Sequence, residues 1–420
     1  MDCLEIKGGT PLYGEVEISG AKNAVLPIMA ATLLTAEPCV IRRAPRLADV
    51  HTMAAILRSL GSRVDFKNRT LTIQAARISP HADYDLVRKM RGSICVLGPL
   101  LARLGQAKVS VPGGCVIGMR PIDLHLKGME ALGARMRNTA GYVHASAKRL
   151  IGNDVFLGGR AGPTVLGTAN VLMAATLAKG ITVIESAACE PEVVDLATFL
   201  NSMGARISGA GSPTITIHGV RKLRGAEHSI IPDRIEAATY AIAGVATRGK
   251  VTLKGARADH LKAVFDKLRA MGVTIEQSRG RITCRHPRKF KPVDVTTQPH
   301  PGFPTDVQAQ MMALLTLVPD ISIITERIFE ARWSHAAELA RLGANIAIEG
   351  PSAIVKGGSP LSGAPLMASD LRASAALVIG GLVAKGTTRI NRIYHLDRGY
   401  ERMDEKLRKL GAKVKRVPQT

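Results

Sequence analysis

One short pattern of apolar and polar positions, apolar-x-x-Leu/Met-Gly-x-x-apolar, recurs six times along the chain. It reads ILRSLGSRV, GMEALGARM, FLNSMGARI, KLRAMGVTI, ELARLGANI and KLRKLGAKV. The glycines are Gly61, Gly133, Gly204, Gly272, Gly343 and Gly411, spaced by 72, 71, 68, 71 and 68 residues. Such regularity marks an internal repeat of about seventy residues. Each phrase predicts the last turn of an amphipathic helix, a glycine in the left-handed conformation, then a strand. A second pattern precedes each phrase: an Ala/Leu-rich helix, a turn and a β-branched strand, as in AATLAKGITVIE and LVIGGLVAKGTTRI. Helices apolar on every side suit the interior of a domain rather than its surface.

Six such units predict a duplicated α/β protein with three units in each of two domains. The polar, turn-rich stretch RKLRGAEHSIIPDR places a boundary near residue 230. The segment before the first unit belongs with the second half, giving domains 22–229 and 1–21 plus 230–420.

Composition narrows the class. The 420 residues are 46% hydrophobic and 22% charged, which is globular. The mean hydropathy of +0.11 is high, but no apolar run approaches the ~20 residues of a spanning helix. The first residues lack the basic and apolar regions of a secretion signal, so a cytoplasmic protein is expected. Six scattered cysteines without a CxxC pair argue against a zinc site or a disulfide scaffold. His125, His300, His335 and His395 show no ligand spacing, so neither metal nor cofactor is expected. The charge is unusual: 57 basic against 34 acidic residues, +23 net. Such a chain attracts anions, whether nucleic acid, acidic lipid or phosphorylated metabolites. At 3% aromatic residues, platforms for stacking single-stranded bases are scarce.

Functional residues are expected where a unit departs from what its fold needs. Cations cluster at the starts of the Ala-rich helices, at Lys22-Asn23, Lys89-Met-Arg91, Asp233-Arg234 and Asp370-Leu-Arg372. A cation there opposes the helix dipole and needs a reason. Asp306 and Asp370 at such starts also fit ordinary capping. The loop Val111–His125 is glycine-rich and carries Cys115 beside Arg120, a setting that lowers a thiol pKa. The corresponding loops of other units hold Glu190, Arg332 and Arg398. Gly244-x-x-x-x-Gly249-Lys250 imitates a phosphate loop, but Val251 replaces the required Ser/Thr and the order runs helix to strand. A helix C-cap, equivalent to LAKGIT and VAKGTT, explains it better.

The stretches SGAKNAVLPIMAATLL, PGGCVIGMRPIDLH, HPGFPTDVQAQ, ASDLRAS and RIYHLDRGYERMDEKL resemble, in order, those of the UDP-N-acetylglucosamine 1-carboxyvinyltransferases, enolpyruvyl transferases of peptidoglycan synthesis. The resemblance implies two inside-out α/β domains, each of threefold pseudosymmetry, with the active site in the cleft between them. It implies transfer of the enolpyruvyl group of phosphoenolpyruvate to the 3′-hydroxyl of UDP-N-acetylglucosamine with release of phosphate, the first committed step towards the cell wall.

By the resemblance, Lys22, Asn23, Arg120, Arg332, Arg372 and Arg398 bind phosphoenolpyruvate. Cys115 is the proton donor, Asp306 the general base, and Lys22 and Arg398 share in catalysis. The sugar nucleotide contacts fall on Asn23, Arg91, Arg120, Pro121, Ile122, Asp123, Leu124, Thr164, Val165, Asp306 and Ile328. Relatives commonly carry Lys-x-Ser-Val-Gly-Ala-Thr where this chain reads Gly162-Pro163-Thr164-Val165-Leu166-Gly167-Thr168, leaving Arg160 to supply the missing charge. Cys115 further implies inactivation by fosfomycin.

Two rivals remain. A shikimate-pathway enolpyruvyl transferase shares the donor, but the PGGC loop and the RPIDLH run argue against it. A nucleic-acid-binding protein would account for the charge, yet no recognised nucleic-acid motif accompanies the basic runs, and no specific nucleic-acid or membrane partner is expected.

Overall fold

The structure, a computed structural model, describes residues 2–111 and 122–418. These form two compact units, one spanning Gly20–Ile231 and the other joining the residues up to Ser19 with those from Pro232 onward.

Both units are inside-out. In the Gly20–Ile231 unit the central helices are Lys22–Ala31, Leu97–Leu104 and Val165–Ala175. In the other they are Arg234–Ala246, Thr305–Leu315 and Leu371–Val383. Nearly every residue of Arg234–Ala246 and Leu371–Val383 is buried. Alanine and glycine make this possible, because small side chains let three helices approach closely on all sides. Each unit has its own apolar core built around its three helices. No helix among the described residues is long and apolar enough to cross a membrane.

Six four-stranded sheets carry the outer faces, and each repeats one topology. A short strand pairs in parallel with the strand that follows the central helix, and that strand pairs antiparallel with a hairpin. One sheet runs His81–Ala82, Gln106–Ser110, Tyr142–Ser146, Arg135–Thr139. A surface helix precedes the first strand of each antiparallel outer pair, and the repeat glycine joins the two; in five sheets that pair is a hairpin. All six repeat glycines have φ between 86° and 101°, so the expected left-handed position is occupied in every unit.

The last unit is completed by the first residues of the chain. Asp2–Lys7 lies between Thr387–Asn391 and Lys413–Pro418, antiparallel to both. Tyr13–Glu17 pairs in parallel with Lys250–Lys254. The Gly20–Ile231 unit closes similarly, Glu227–Ser229 returning to pair with Cys39–Arg42.

Two expectations need correction. Gly249 is not a left-handed helix cap like Gly180 and Gly386; the positive φ falls on Arg248, at 61°. A Cβ on Gly249 would lie 1.9 Å from the Leu12 carbonyl oxygen, so glycine is needed there for close approach. The region starting at Lys89 does not open directly into an α-helix. Arg91–Val96 is a 3₁₀ segment, and the central helix begins at Leu97.

Candidate functional site

In the Gly20–Ile231 unit, Lys22 and Asn23 open the first central helix, and no side chain caps its start. The lysine that opposes the dipole is balanced by a partner absent from the sequence reading. Lys22 Nζ lies 3.1 Å from Asp49 Oδ2, and both side chains are almost fully buried. Asp49 sits in the first turn of the surface helix Ala48–Ser59.

Arg91 begins the 3₁₀ segment, which is tied down by Asn170. The Asn170 Nδ2 donates to the Ile94 carbonyl at 2.8 Å and lies 3.0 Å from His125 Nδ1. Its Oδ1 accepts from the Gly98 N–H at 2.8 Å. With the amide oriented by Gly98 and Ile94, His125 Nδ1 must accept, leaving the imidazole proton on Nε2. Burial, and then the charge of Arg91, push the His125 pKa down to about 3, so the ring is neutral near pH 7.

Ile122 is buried at the start of Asp123–Ala131, with Asp123 and Leu124 in its first turn. A short ribbon, Gly158–Gly159 paired with Gly162–Pro163, packs beside it, since a Cβ on Gly159 would lie 3.0 Å from Leu124 Cδ1. The ribbon carries Arg160 at its turn and leads into Thr164, whose hydroxyl caps Val165–Ala175 by accepting from Gly167 N at 3.2 Å. The divergent segment thus lies against the Asp123–Leu124 turn. Cys115, Arg120 and Pro121 lie outside the described residues.

In the other unit, Asp306 lies in the first turn of Thr305–Leu315 but does not cap it. Its Oδ1 accepts from Arg332 Nη1 at 2.9 Å, and its Oδ2 from Arg372 Nε at 3.2 Å and Nη2 at 3.0 Å. Asp370 does cap, accepting from the backbone of Arg372 and Ala373. Of the two aspartates that fit capping in the sequence, one is therefore structural and the other is held by two arginines.

Arg332 and Arg372 are both buried. Burial disfavours the Arg372 charge, but Asp306, with Tyr400 and Asp233, more than offsets this, and its pKa is raised above the ordinary arginine value. Arg332 Nε is buried without a hydrogen-bond partner, whereas the Arg372 guanidinium lies against Tyr400, 5.5 Å from its ring centroid. Unpaired guanidinium donors at such depth are costly unless an anion takes them.

Buried Glu326 sets the neighbouring loop. Its Oε1 accepts from Ile328 N at 2.8 Å and Phe329 N at 3.1 Å, and its Oε2 from Thr305 Oγ1 at 2.9 Å. Thr305 Oγ1 accepts in turn from Arg332 Nη1. Ile328, Arg332 and Asp306 are thereby brought into one hydrogen-bonded group. Arg398 ends the 3₁₀ segment Ile393–Arg398. It lies near enough to His395 to help burial, the larger cause, lower that imidazole's pKa.

Asp49, Asn170 and Glu326 were missed by sequence reasoning. Each acts through a partner distant in sequence, and only Asp49, opening a surface helix, carried any local signal. The buried cysteines are not reactive candidates; burial pushes the Cys95 thiol up to about 12. Among the described residues no cluster of three or more His, Cys, Asp or Glu is arranged to hold a metal ion.

Comparison with known proteins places these features. Residues 6–407 match the family model of EPSP synthase (3-phosphoshikimate 1-carboxyvinyltransferase). The enolpyruvyl transferase NikO from Streptomyces tendae superposes with a TM-score of 0.91 at 29% identity, covering 100% of this chain and 99% of that one. EPSP synthase from Acinetobacter baumannii has the same fold, with a TM-score of 0.75 at 17% identity over the full length of both chains. The protein is an α/β transferase of the enolpyruvyl transferase class.

Within that class the relatives are more specific. The UDP-N-acetylglucosamine 1-carboxyvinyltransferases of Methylacidiphilum infernorum and Myxococcus xanthus are each 52% identical to this chain, covering 99% of it and 99% of their own length. The chain belongs to the UDP-N-acetylglucosamine 1-carboxyvinyltransferase family.

Proposed function

We propose that this protein transfers the enolpyruvyl group of phosphoenolpyruvate to the 3′-hydroxyl of UDP-N-acetylglucosamine and releases phosphate. The observation carrying this reading is the buried Asp306–Arg332–Arg372 group, in which one carboxylate meets two guanidiniums and the Arg332 Nε donor stays unpaired. Such a group offers a buried guanidinium donor to an incoming anion. It suits a small trianion whose carboxylate and phosphate each need cationic donors.

The reaction is an addition followed by an elimination. The sugar oxygen bonds to C2 of phosphoenolpyruvate while a proton is delivered to C3, giving a tetrahedral adduct. The C2–O bond to phosphate then breaks, C3 gives up a proton, and inorganic phosphate leaves. In this reading Cys115 delivers the proton to C3, while Lys22, Arg120, Arg332, Arg372 and Arg398 neutralise the phosphoenolpyruvate anion. Asn23, Arg91, the 120–124 run, Thr164, Val165 and Ile328 hold the sugar nucleotide. We take the two units to act on one substrate pair.

Asp306 accepts the hydroxyl proton. Its oxygens are held by Arg332 and Arg372, which fix the carboxylate in place for that task. On the sequence reading the compartment is the cytoplasm, and nucleic acid has no part in the activity.

The test is phosphate release from phosphoenolpyruvate by purified protein. Release that requires UDP-N-acetylglucosamine is expected, and release only with shikimate 3-phosphate would move the assignment to the other branch of the class. Fosfomycin inactivation should disappear in Cys115→Ser; its persistence would remove Cys115 from the reading.

A further inference from the structure

The sixfold repeat provides an internal control for the outer faces of the sheets. The residue four places after each repeat glycine lies on the first hairpin strand, and the pairing register defines a row across the sheet through it. In the Gly20–Ile231 unit one such row reads Glu227–Val40–Thr72–Asp65 and another Asp154–Val183–Thr216–Ser208. In the other unit the rows read Glu15–Thr252–Thr283–Glu276, Ile323–Ile354–Ala347 and Pro365–Arg389–Glu5–Lys415. These are neutral, acidic or mixed.

The sixth row reads His81–Lys108–His144–Arg137, four basic side chains directly opposite one another. The fold does not require this, since five equivalent sheets manage without it. Guarding a sheet edge does not explain it either: Lys108 and His144 lie on the two inner strands. Tyr142, on the same face, lies under the Lys108 ammonium at 4.7 Å from its ring centroid, with His81 and His144 at its edges. Arg135 extends the face along the edge strand. His81 has Asp83 at 3.5 Å, whereas no ion pair among the described residues engages Lys108, Arg135, Arg137 or His144.

We propose that the outward face of the His81–Lys108–His144–Arg137 row is a docking surface for an acidic protein segment. Neighbouring strands lie about 4.8 Å apart, so the row spans roughly 14 Å. Carboxylates at i and i+4 of a helix recur at about 5–6 Å, close to that spacing. A membrane is disfavoured because no large exposed apolar side chain belongs to this row for insertion. Single-stranded nucleic acid is disfavoured because the Tyr142 face is already occupied by Lys108.

The test uses a fluorescein-labelled oligoglutamate peptide with the full-length protein. The triple variant Lys108→Val, His144→Thr, Arg137→Ser installs the row of a neighbouring sheet. It should bind at least about tenfold more weakly while phosphate release is unchanged. A control loses the same residue types elsewhere, by Lys254→Val, His218→Thr and Arg206→Ser, and should bind within about twofold of the parent. Equal weakening in both variants would reduce the effect to net charge and overturn the proposal, as would unchanged binding by the triple variant. Tighter binding to single-stranded DNA or to phosphatidylserine-containing vesicles, lost in the triple variant, would overturn the choice of partner. If the triple variant does not fold, Arg137→Ser alone should weaken the peptide about threefold.

Discussion

The Lys22–Asp49 pair and the Asp306–Arg332–Arg372 group solve the same problem differently. Both place buried charge in the first turn of a central helix. At Lys22 the charge opposes the helix dipole, and a single carboxylate cancels it. At Asp306 the carboxylate already suits the dipole, yet two guanidiniums converge on it, leaving the buried Arg332 Nε donor unspent. The first is a pairing of one cation with one carboxylate; the second sets two cations on one carboxylate and keeps a buried donor for an anion. An ion pair's neighbours, more than its existence, set what it can offer a ligand.

The strongest way to break this comparison is Arg372→Ala, which removes one of the two guanidiniums on Asp306. Phosphate release should fall by about 10²–10³-fold, and denaturant unfolding should report a loss of about 3–5 kcal/mol from breaking the buried pair. Arg372→Lys should recover little activity, because an ammonium cannot reproduce the two bonds that converge on Asp306 Oδ2.

Asp306→Asn should lower turnover by about 10²-fold and abolish the acid limb of the pH–rate profile, since a base works only when deprotonated. Near-full turnover with an unshifted profile would reduce Asp306 to a positioning group. Asp49→Asn tests the one-to-one pair: the KM for phosphoenolpyruvate should rise about tenfold with a smaller change in kcat. An equal fall in kcat would place Lys22 and Asp49 directly in the chemistry.

The smallest effect concerns His125. Its pKa is about 3 when folded, below its ordinary 6.5, so the unfolded chain takes up this proton first as pH falls. The stability it contributes is complete above pH 6.5 and lost towards pH 3, at up to about 1.4 kcal/mol per pH unit. Urea midpoints of His125→Gln should therefore fall less steeply over that window. An unchanged slope would mean the ring is protonated in the folded protein. His335, lowered to about 4 chiefly by burial, should add a second, similar component.

Much of the architecture was legible because it rests on local rules. A left-handed residue after each surface helix calls for glycine, so Gly61 and its five counterparts announced the repeat. Helices that pack on every side call for small apolar residues, so the central helices announced themselves too. The pairings were not legible, because Asp49, Asn170 and Glu326 look like ordinary polar residues until folding brings their partners to them. Gly249 misled for a related reason: its role is to admit the Leu12 carbonyl, a contact from far along the chain. Arg332 and Arg372 were singled out, but their convergence on Asp306 joins two separate units of the repeat.

The early strands Asp2–Lys7 and Tyr13–Glu17 impose an order on assembly during synthesis. They leave the ribosome before the strands they pair with, which for Asp2–Lys7 lie far along the chain at Thr387–Asn391 and Lys413–Pro418. At about 5–20 residues per second, the first strand waits for on the order of tens of seconds with its backbone unpaired. Meanwhile the Gly20–Ile231 unit has every strand it needs from one continuous stretch. The nascent chain therefore carries a finished unit flanked by a strand still without its sheet, and this interval is when a chaperone or a misplaced sheet edge has its best opportunity to capture it.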